Sequence, residues 1–299
     1  MSSNTIVLDG GLATSLEAVG HDLSGSLWSA RILVERPEAV VAVHESHARA
    51  GAQILTSASY QVSEHGFVSA GLTVQAAQDS IYRSIDVART AAETVEAEDG
   101  IVRYVAASVG PWGATLADGS EYRGDYTATE SEIFEFHAQR LEMFLQAKPD
   151  LIAIETVPSL RELRAVNRAL HELNVAIPTW VSCSALNATT ICDGTSISEA
   201  RGALNHDSLI AFGFNCTAPE HIEELVRAAS DALEPLPVVV YPNAGRTWDA
   251  TARKWLDEGS ECFSDTVLES WISAGARIVG GCCGLGEKHI NTVARLNAR

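Results

Sequence analysis

Two adjacent cysteines, Cys282 and Cys283, lie in the segment GGCCG at residues 280–284. They follow the apolar run ARIV, which reads as a buried strand, and neighbouring side chains on a strand point to opposite faces. The flanking glycines leave the backbone free to adopt dihedrals that turn both sulfurs toward one point. A third cysteine, Cys216, directly follows another apolar run in the segment FGFNC. These three thiols are the first candidates for chemistry.

Three cysteine ligands and one open position are typical of a catalytic zinc site, because structural zinc sites use four protein ligands. The sequence therefore predicts zinc on Cys216, Cys282 and Cys283. The alternative is that Cys216 is simply a small buried residue and the pair is incidental. Zinc with three thiolates carries a net negative charge, so it suits ionising a fourth thiol better than polarising a carbonyl. Alkylation of a substrate thiol is the expected chemistry.

Eight apolar runs rich in Val and Ile alternate with helical patterns and are predicted to be buried parallel strands. They span residues 5–11, 52–60, 103–110, 150–156, 179–185, 209–215, 237–243 and 276–283. This order predicts an α/β fold, a single (β/α)8 barrel over residues 1–299. No Gly-x-Gly-x-x-Gly follows the first strand, which argues against a dinucleotide-binding doubly wound sheet.

The predicted helices carry recognisable boundary signals. Ser159 and Glu162 fit a capping box at the start of one helix, and Pro219 suits the first turn of another. His44 and His47 lie three residues apart on a predicted helix and could form a ligand pair. Because no third ligand is nearby, we expect both histidines to be exposed to solvent.

The composition excludes several functional classes. Hydrophobic residues make up 46% and charged residues 20% of the 299 residues, as in a globular protein with a sizeable core. The net charge of −18 argues against nucleic acid or an anionic membrane as a partner. No segment resembles a membrane span or a secretion signal, so a cytoplasmic location is expected. Six cysteines are too few for a disulfide scaffold.

Active sites of such barrels lie at the carboxyl ends of the strands. Polar residues or thiols at those ends are Asp9, Tyr60, Glu155, Cys216, Asn243, Cys282 and Cys283. Only the seventh strand separates the sixth from the eighth, so the three thiols are expected to converge at the rim. The remaining cysteines, Cys183, Cys192 and Cys262, lack such a placement and are treated as ordinary thiols.

The chain resembles the zinc-dependent homocysteine S-methyltransferase family over nearly its whole length. The resemblance rests on LDGGLATSLE at 8–17, VGPWGATLADGSEYRGDY at 109–126, ETVPSLRE at 155–162, GFNCTAPEHI at 213–222, VYPNAGRTWD at 240–249 and VGGCCG at 279–284. It implies a (β/α)8 barrel that binds homocysteine, with zinc on the three cysteines and methionine as the product. The similar branch contains short single-domain enzymes that take the methyl group from S-methylmethionine or S-adenosylmethionine.

The resemblance also implies how homocysteine is bound. Glu155 and Asp9 would pair with its ammonium group, and the amides of Gly10 and Gly11 would meet its carboxylate. The alternative for Asp9 is a helix N-cap.

Two further residues, Tyr60 and Asn243, would line the pocket or supply a temporary fourth zinc ligand. A purely structural role is the alternative for both. The family commonly has Asn-Ser-Gly-Glu after the seventh strand, whereas this chain has Asn243, Ala244, Gly245 and Arg246. Because a cation replaces a carboxylate here, the resemblance does not decide how this segment takes part in donor binding or loop docking.

Other functions remain open from the sequence alone. Within the family, betaine could be the donor or a selenocysteine-type acceptor could replace homocysteine. A zinc hydrolase would normally need imidazole or carboxylate ligands, and no suitable histidine cluster is visible. A non-enzymatic redox or metal-storage protein could use the vicinal cysteines but would not need Asp9 and Glu155 at the same rim.

Overall fold

Eight parallel strands form the centre of the molecule. The computed structural model describes residues 5–23, 29–231, 236–245 and 263–298, with the backbone of 248–249 and 254–255. The barrel strands are β1 (Ile6–Val7), β2 (Ile54–Thr56), β3 (Tyr104–Val109), β4 (Leu151–Val157), β5 (Thr179–Cys183), β6 (Leu209–Asn215), β7 (Val238–Tyr241) and β10 (Ala276–Val279). Between β7 and β10, the short strands β8 (Trp248–Asp249) and β9 (Lys254–Trp255) pair antiparallel.

The sheet closes on itself to form a barrel. Its hydrogen-bonded order is β1-β10-β7-β6-β5-β4-β3-β2. The two end strands meet through a parallel bridge between Leu8 and Ile54, and the Gln53 amide donates to the Val7 carbonyl at 2.8 Å. The predicted (β/α)8 barrel is therefore confirmed, with a strand in each of the eight predicted runs; only β4 extends beyond its run, by one residue.

Helices cover the outside of the barrel. They are α1 (Leu12–Ala18), α2 (Ser29–Glu35), α3 (Pro37–Arg49), α4 (Glu64–Ser69), α5 (Val74–Asp99), α6 (Glu130–Ala147), α7 (Leu160–Glu172), α8 (Ile197–Gly202), α9 (Ile222–Ser230), α10 (Asp265–Ala274) and α11 (Glu287–Asn297). Three short 3₁₀ turns lie at Trp112–Leu116, Ser120–Tyr122 and Pro219–His221. Pro219 thus begins the turn that leads into α9, as its position predicted. Among the described residues, no helix is both long and apolar enough to cross a membrane.

The barrel interior is filled mainly by small and branched side chains around one large ring. Trp180 is completely buried and packs with Ala106, Ala153 and Ala211 from neighbouring strands. Its indole nitrogen donates to the hydroxyl of Tyr241 at 3.1 Å. The core therefore fixes the orientation of a polar group just below the carboxyl ends of the strands.

Glu162 does not complete the predicted capping box. Ser159 is the N-cap of α7 and its hydroxyl accepts from the Glu162 amide, so the predicted start of the helix is correct. The Glu162 carboxylate instead accepts from the Trp112 amide at 2.7 Å and from the Tyr126 hydroxyl, and it contacts His137 Nε2 at 2.7 Å. Glu162 is completely buried, so these partners replace the water that an ordinary capping residue would contact.

The expected exposure of His44 and His47 is wrong. Both side chains are completely buried, because α1 and α2 pack over this face of α3. Burial lowers the pKa of His44 to about 3 and that of His47 to about 4, so both rings are neutral at physiological pH. His47 Nε2 contacts the Ser15 hydroxyl at 2.8 Å, which ties α3 to α1.

Contact between β6 and β7 leaves no room for a side chain at Gly213. A Cβ atom there would lie 1.8 Å from the carbonyl oxygen of Val239, a backbone atom that cannot rotate away. We expect Gly213→Ala to lower the free energy of unfolding by about 1–3 kcal/mol or more, measured by urea denaturation. Gly202→Ala is the matched control, since no atom lies within 4 Å of its Cβ position, and its effect should stay below about 1 kcal/mol. Equal stability of the two variants would contradict the close approach.

Candidate active site

A cavity opens at the carboxyl ends of the strands, where the sequence predicted the site. Its empty volume, including the open mouth, is about 810 Å³. Of the nine predicted site residues, eight line it: Asp9, Gly10, Gly11, Tyr60, Glu155, Cys216, Cys282 and Cys283. The barrel thus brings together residues from both ends of the chain in one small-molecule pocket.

The three predicted thiols converge at one wall of this cavity. Their sulfur atoms all lie within 4.8 Å of one another. The Sγ atoms of Cys216 and Cys283 are 3.5 Å apart, and those of Cys282 and Cys283 are 3.9 Å apart. Cys216 and Cys282 are joined as a disulfide, while Cys283 carries a free thiol.

The cluster suits a tetrahedral metal in its reduced form. A zinc–sulfur distance of about 2.3 Å and tetrahedral angles place ligand sulfurs about 3.8 Å apart, close to both Cys283 separations. Reduction of the Cys216–Cys282 bond would free the other two ligands. Burial, with a smaller contribution from the charge of Glu121, raises the pKa of Cys283 to about 12, so this thiol needs a nearby cation to ionise.

The turn after β10 explains how two adjacent sulfurs reach the same point. Gly280 passes so close to β1 that a Cβ atom would lie 2.6 Å from the Asp9 carbonyl oxygen. Gly284 has a φ of 83°, a left-handed conformation that favours glycine. The Cys282 amide donates to the Pro242 carbonyl at 2.8 Å, which anchors the turn to the segment after β7.

Asp9 forms one side of the carboxylate pair beside the thiols. Its Oδ2 accepts from the Thr56 amide at 2.7 Å, and the Thr56 hydroxyl donates to Oδ1 at 3.0 Å. The N-cap of α1 is Gly11, so the alternative reading of Asp9 as a helix cap does not hold. Burial, with a contribution from the charge of Glu155, raises the pKa of Asp9 to about 8.

Glu155 is the second carboxylate, in β4. It is 7% exposed and accepts a short hydrogen bond from the Ser108 hydroxyl. Burial raises its pKa, while hydrogen bonds from Ser108 and Tyr241 and the charge of Arg140 oppose that shift. Asp9 and Glu155 are thus two buried, mutually repelling carboxylates, and an ammonium group between them would stabilise both in ionised form.

The amide of Gly11 already has a partner in this structure. It donates to the Leu285 carbonyl at 2.8 Å. A Cβ at Gly10 would lie 2.7 Å from that same oxygen, which shows how tightly the two segments pack. The contact of both amides with a carboxylate stays a prediction, and Gly11 would have to release the Leu285 carbonyl to make it.

Tyr60 and Asn243 occupy different positions. The Tyr60 hydroxyl bonds to Thr156, and its ring packs on Gly110, within the cavity wall. Asn243 is absent from that wall and donates through Nδ2 to the Cys216 carbonyl at 3.0 Å. Arg246, the departure from the family pattern, lies outside the described residues.

Sequence reasoning missed several polar residues in the wall. Thr56, Ser108, Asn215 and Tyr241 lie on strands next to the predicted ligands, and Glu121 lies in the 3₁₀ turn Ser120–Tyr122. The strand-end rule could have found the first four, because each is a polar residue within or at the end of a predicted strand. Glu121 belongs to the quoted segment 109–126 but follows no strand, so no positional rule singled it out.

Comparisons with known proteins agree with this geometry. The family model described as homocysteine S-methyltransferase matches residues 6–296. A homocysteine S-methyltransferase of Escherichia coli is 41% identical, with 93% of this chain and 90% of the relative covered. Homocysteine S-methyltransferase 1 of Zea mays is 38% identical, with 97% of this chain and 93% of the relative covered.

A solved structure gives the same result for the fold. The metallated form of the homocysteine methyltransferase MmuM from Escherichia coli matches with a TM-score of 0.88 and 37% identity. The match covers 98% of this chain and 96% of that one. The similarity therefore covers nearly the full length of both chains and not the barrel strands alone.

The thiol cluster predicts which cysteines bind metal. In reduced protein, Cys216→Ser, Cys282→Ser and Cys283→Ser should each lose most bound zinc, because a hydroxyl is a poor substitute for a thiolate ligand. Elemental analysis by mass spectrometry after thiol reduction and gel filtration measures the zinc per chain. Cys192→Ser is the control, since Cys192 belongs to no metal-like group among the described residues. Full zinc in Cys282→Ser would contradict the three-thiolate site.

Proposed function

Because the chain belongs to the homocysteine S-methyltransferase family, we propose that it methylates L-homocysteine with zinc as the cofactor and a small sulfonium compound as the methyl donor. Transfer of a methyl group to the homocysteine thiol, which yields methionine, is the reaction of this family. The zinc, the donor and the role of each site residue are the proposed parts. The predicted cytoplasmic location also stays a prediction.

One observation carries the proposal: three thiols and two buried carboxylates face the same cavity. The thiols of Cys216, Cys282 and Cys283 would hold zinc. The chemistry that zinc would supply there is stabilisation of a substrate thiolate at neutral pH. Within the described residues this is the only group of His, Cys, Asp or Glu side chains with metal-like spacing, so the zinc-hydrolase alternative has no ligand set there.

Asp9 and Glu155 are suited to orient the amino-acid part of homocysteine. Their charges repel each other in a buried wall, and an ammonium group bound there would relieve that repulsion. Thr56 donates to Asp9 and Ser108 donates to Glu155, so both carboxylates are held in fixed orientations. Two methylene groups separate the homocysteine thiol from the Cα atom that carries the ammonium group. A fixed ammonium position would therefore restrict the thiol to the part of the cavity that the cysteines line.

Burial of the cavity wall favours the transfer itself. Asp9, Glu155, Asn215 and Tyr241 are each at most 7% exposed, so little water contacts the acceptor end of the pocket. A thiolate and a sulfonium lose their opposite charges as the methyl group moves between the two sulfur atoms. Such a step is favoured where water, which stabilises separated charges, is excluded.

A sulfonium compound is the methyl donor that best suits the proposed reaction. Sulfonium compounds release a neutral thioether, which leaves more readily than the amine released from betaine. The sequence has no glycine-rich loop of the dinucleotide-binding type after its first strand, so S-methylmethionine is preferred over S-adenosylmethionine.

Glu155→Gln tests the acceptor site. The amide keeps the shape of the carboxylate but not its charge, so the variant should lose about 1.5–3 kcal/mol of charge-assisted hydrogen bonding to the substrate ammonium. We expect kcat/KM for homocysteine to fall roughly ten- to a hundredfold, with zinc content unchanged.

Glu142→Gln, at an exposed position on α6, is the matched control and should leave kcat/KM unchanged. A Glu155→Gln defect confined to the KM of the methyl donor would move Glu155 out of the acceptor site.

A competition assay tests the donor. Zinc-loaded enzyme receives homocysteine and equal concentrations of S-methylmethionine, S-adenosylmethionine and betaine, each with a different isotopic label on its methyl groups. Homocysteine carries a separate ¹⁵N label, because S-methylmethionine also releases methionine as its leaving thioether. Mass spectrometry of the ¹⁵N-labelled methionine then reports the share of each donor in a single reaction. We expect the label of S-methylmethionine to dominate. Methionine labelled mainly from betaine would contradict the sulfonium assignment, and no methionine from any donor would contradict the proposed function.

A further inference from the structure

Glu121 is a buried carboxylate that the acceptor site does not use. The residue is 4% exposed and its side chain lines the cavity. Its Oε2 atom is shielded from solvent and has no hydrogen-bond partner among the described residues. A carboxylate oxygen in that position is costly in the empty protein, so it calls for a ligand that donates a hydrogen bond.

The loop around Glu121 holds its backbone in place. The Ser184 hydroxyl donates to the Glu121 carbonyl at 3.0 Å. Gly113 packs on the same segment so closely that a Cβ atom would lie 2.7 Å from the Glu121 amide nitrogen. The backbone of this cavity-wall residue is therefore held in place before any ligand arrives.

Among the described residues, no arginine forms an ion pair with this carboxylate. Arg123, two residues further on, pairs with Asp125 at 3.2 Å and approaches Asp118 at 3.7 Å, at the protein surface. Glu121 lines the same cavity as Cys283 and Tyr60. It is thus a third buried carboxyl group of the cavity wall, in addition to Asp9 and Glu155.

We infer that Glu121 binds the ammonium group of the methyl donor, and so selects donors that are amino acids. This inference rests on the proposed function, in which Asp9 and Glu155 already bind the ammonium of homocysteine. The donor must lie beside the thiol cluster for a direct transfer, and Glu121 is the remaining buried carboxylate of the described cavity wall. A sulfonium centre has no N–H to donate, whereas an ammonium group would satisfy the unpaired Oε2.

The two positive charges of such a donor behave differently in the reaction. The sulfonium charge disappears as the methyl group leaves, so a carboxylate paired with it would stabilise the ground state more than the transition state. The ammonium charge persists throughout. Glu121 would therefore stabilise both states about equally, and its loss should appear mainly in the KM of the donor.

A matched pair of donors tests this assignment. S-methylmethionine and dimethylsulfoniopropionate both contain a dimethylsulfonium group and a carboxylate, but only the first has an ammonium group. Glu121→Gln in zinc-loaded enzyme should lower kcat/KM for S-methylmethionine roughly ten- to a hundredfold, mainly through KM. Dimethylsulfoniopropionate, measured as a substrate or, without turnover, as a competitive inhibitor, should be affected less than about twofold.

Zinc content and the KM of homocysteine should be unchanged in Glu121→Gln, and Glu142→Gln should match the unmodified enzyme with both donors. An equal loss with both sulfonium compounds, or no loss with either, would overturn the assignment while methionine formation still upheld the proposed function. If the unmodified enzyme formed no methionine from S-methylmethionine, the donor proposal and this inference would both be wrong.

Discussion

Parallel pairing of β6, β7 and β10 is the constraint on which the candidate active site depends. Cys216 and Cys282 are 66 residues apart in the chain, and only strand pairing brings their sulfurs into contact. Asn215 pairs with Tyr241, and Val279 pairs with Val240, so the three strands end at nearly the same level. A shift of one residue in either pairing would move the side chains to the opposite face and separate the thiols.

The convergence places several acidic groups in one buried wall. Burial raises the pKa of Asp9 to about 8, that of Glu121 to about 7 and that of Cys283 to about 12. Without cations, most of these groups are neutral at physiological pH or only partly ionised. A divalent metal and two ammonium groups would supply positive charge at three places in the cavity. Each bound cation would stabilise the ionised form of the group that binds it. Substrate binding and ionisation of the site would therefore be coupled.

Most of the fold and part of the site could be predicted because they follow from local composition. Runs of Val and Ile bounded by turn residues marked every barrel strand, and the position of Cys216 after such a run marked its place at the rim. Other features depend on tertiary neighbours that no local pattern contains. Glu162 has the spacing of a capping residue, yet in the folded chain its carboxylate accepts hydrogen bonds from the Trp112 amide and the Tyr126 hydroxyl. The Gly11 amide likewise donates to the carbonyl of Leu285, in the distant turn after β10.

The backbone conformation at two strand ends links Glu155 to the thiol cluster. Thr156 and Cys216, which follow Glu155 and Asn215 in sequence, have φ values of 60° and 45°, in the left-handed region that β-branched residues such as threonine seldom adopt. The Asn215 side chain accepts from the Thr156 amide and donates to its hydroxyl, both at 2.7 Å, which offsets the cost of that conformation. One buried amide therefore holds the end of β4, which carries Glu155, against the end of β6, which carries Cys216. This pair of hydrogen bonds therefore helps to fix the separation between Glu155 and Cys216, which homocysteine would have to span if its nitrogen bound at the first and its sulfur near the second.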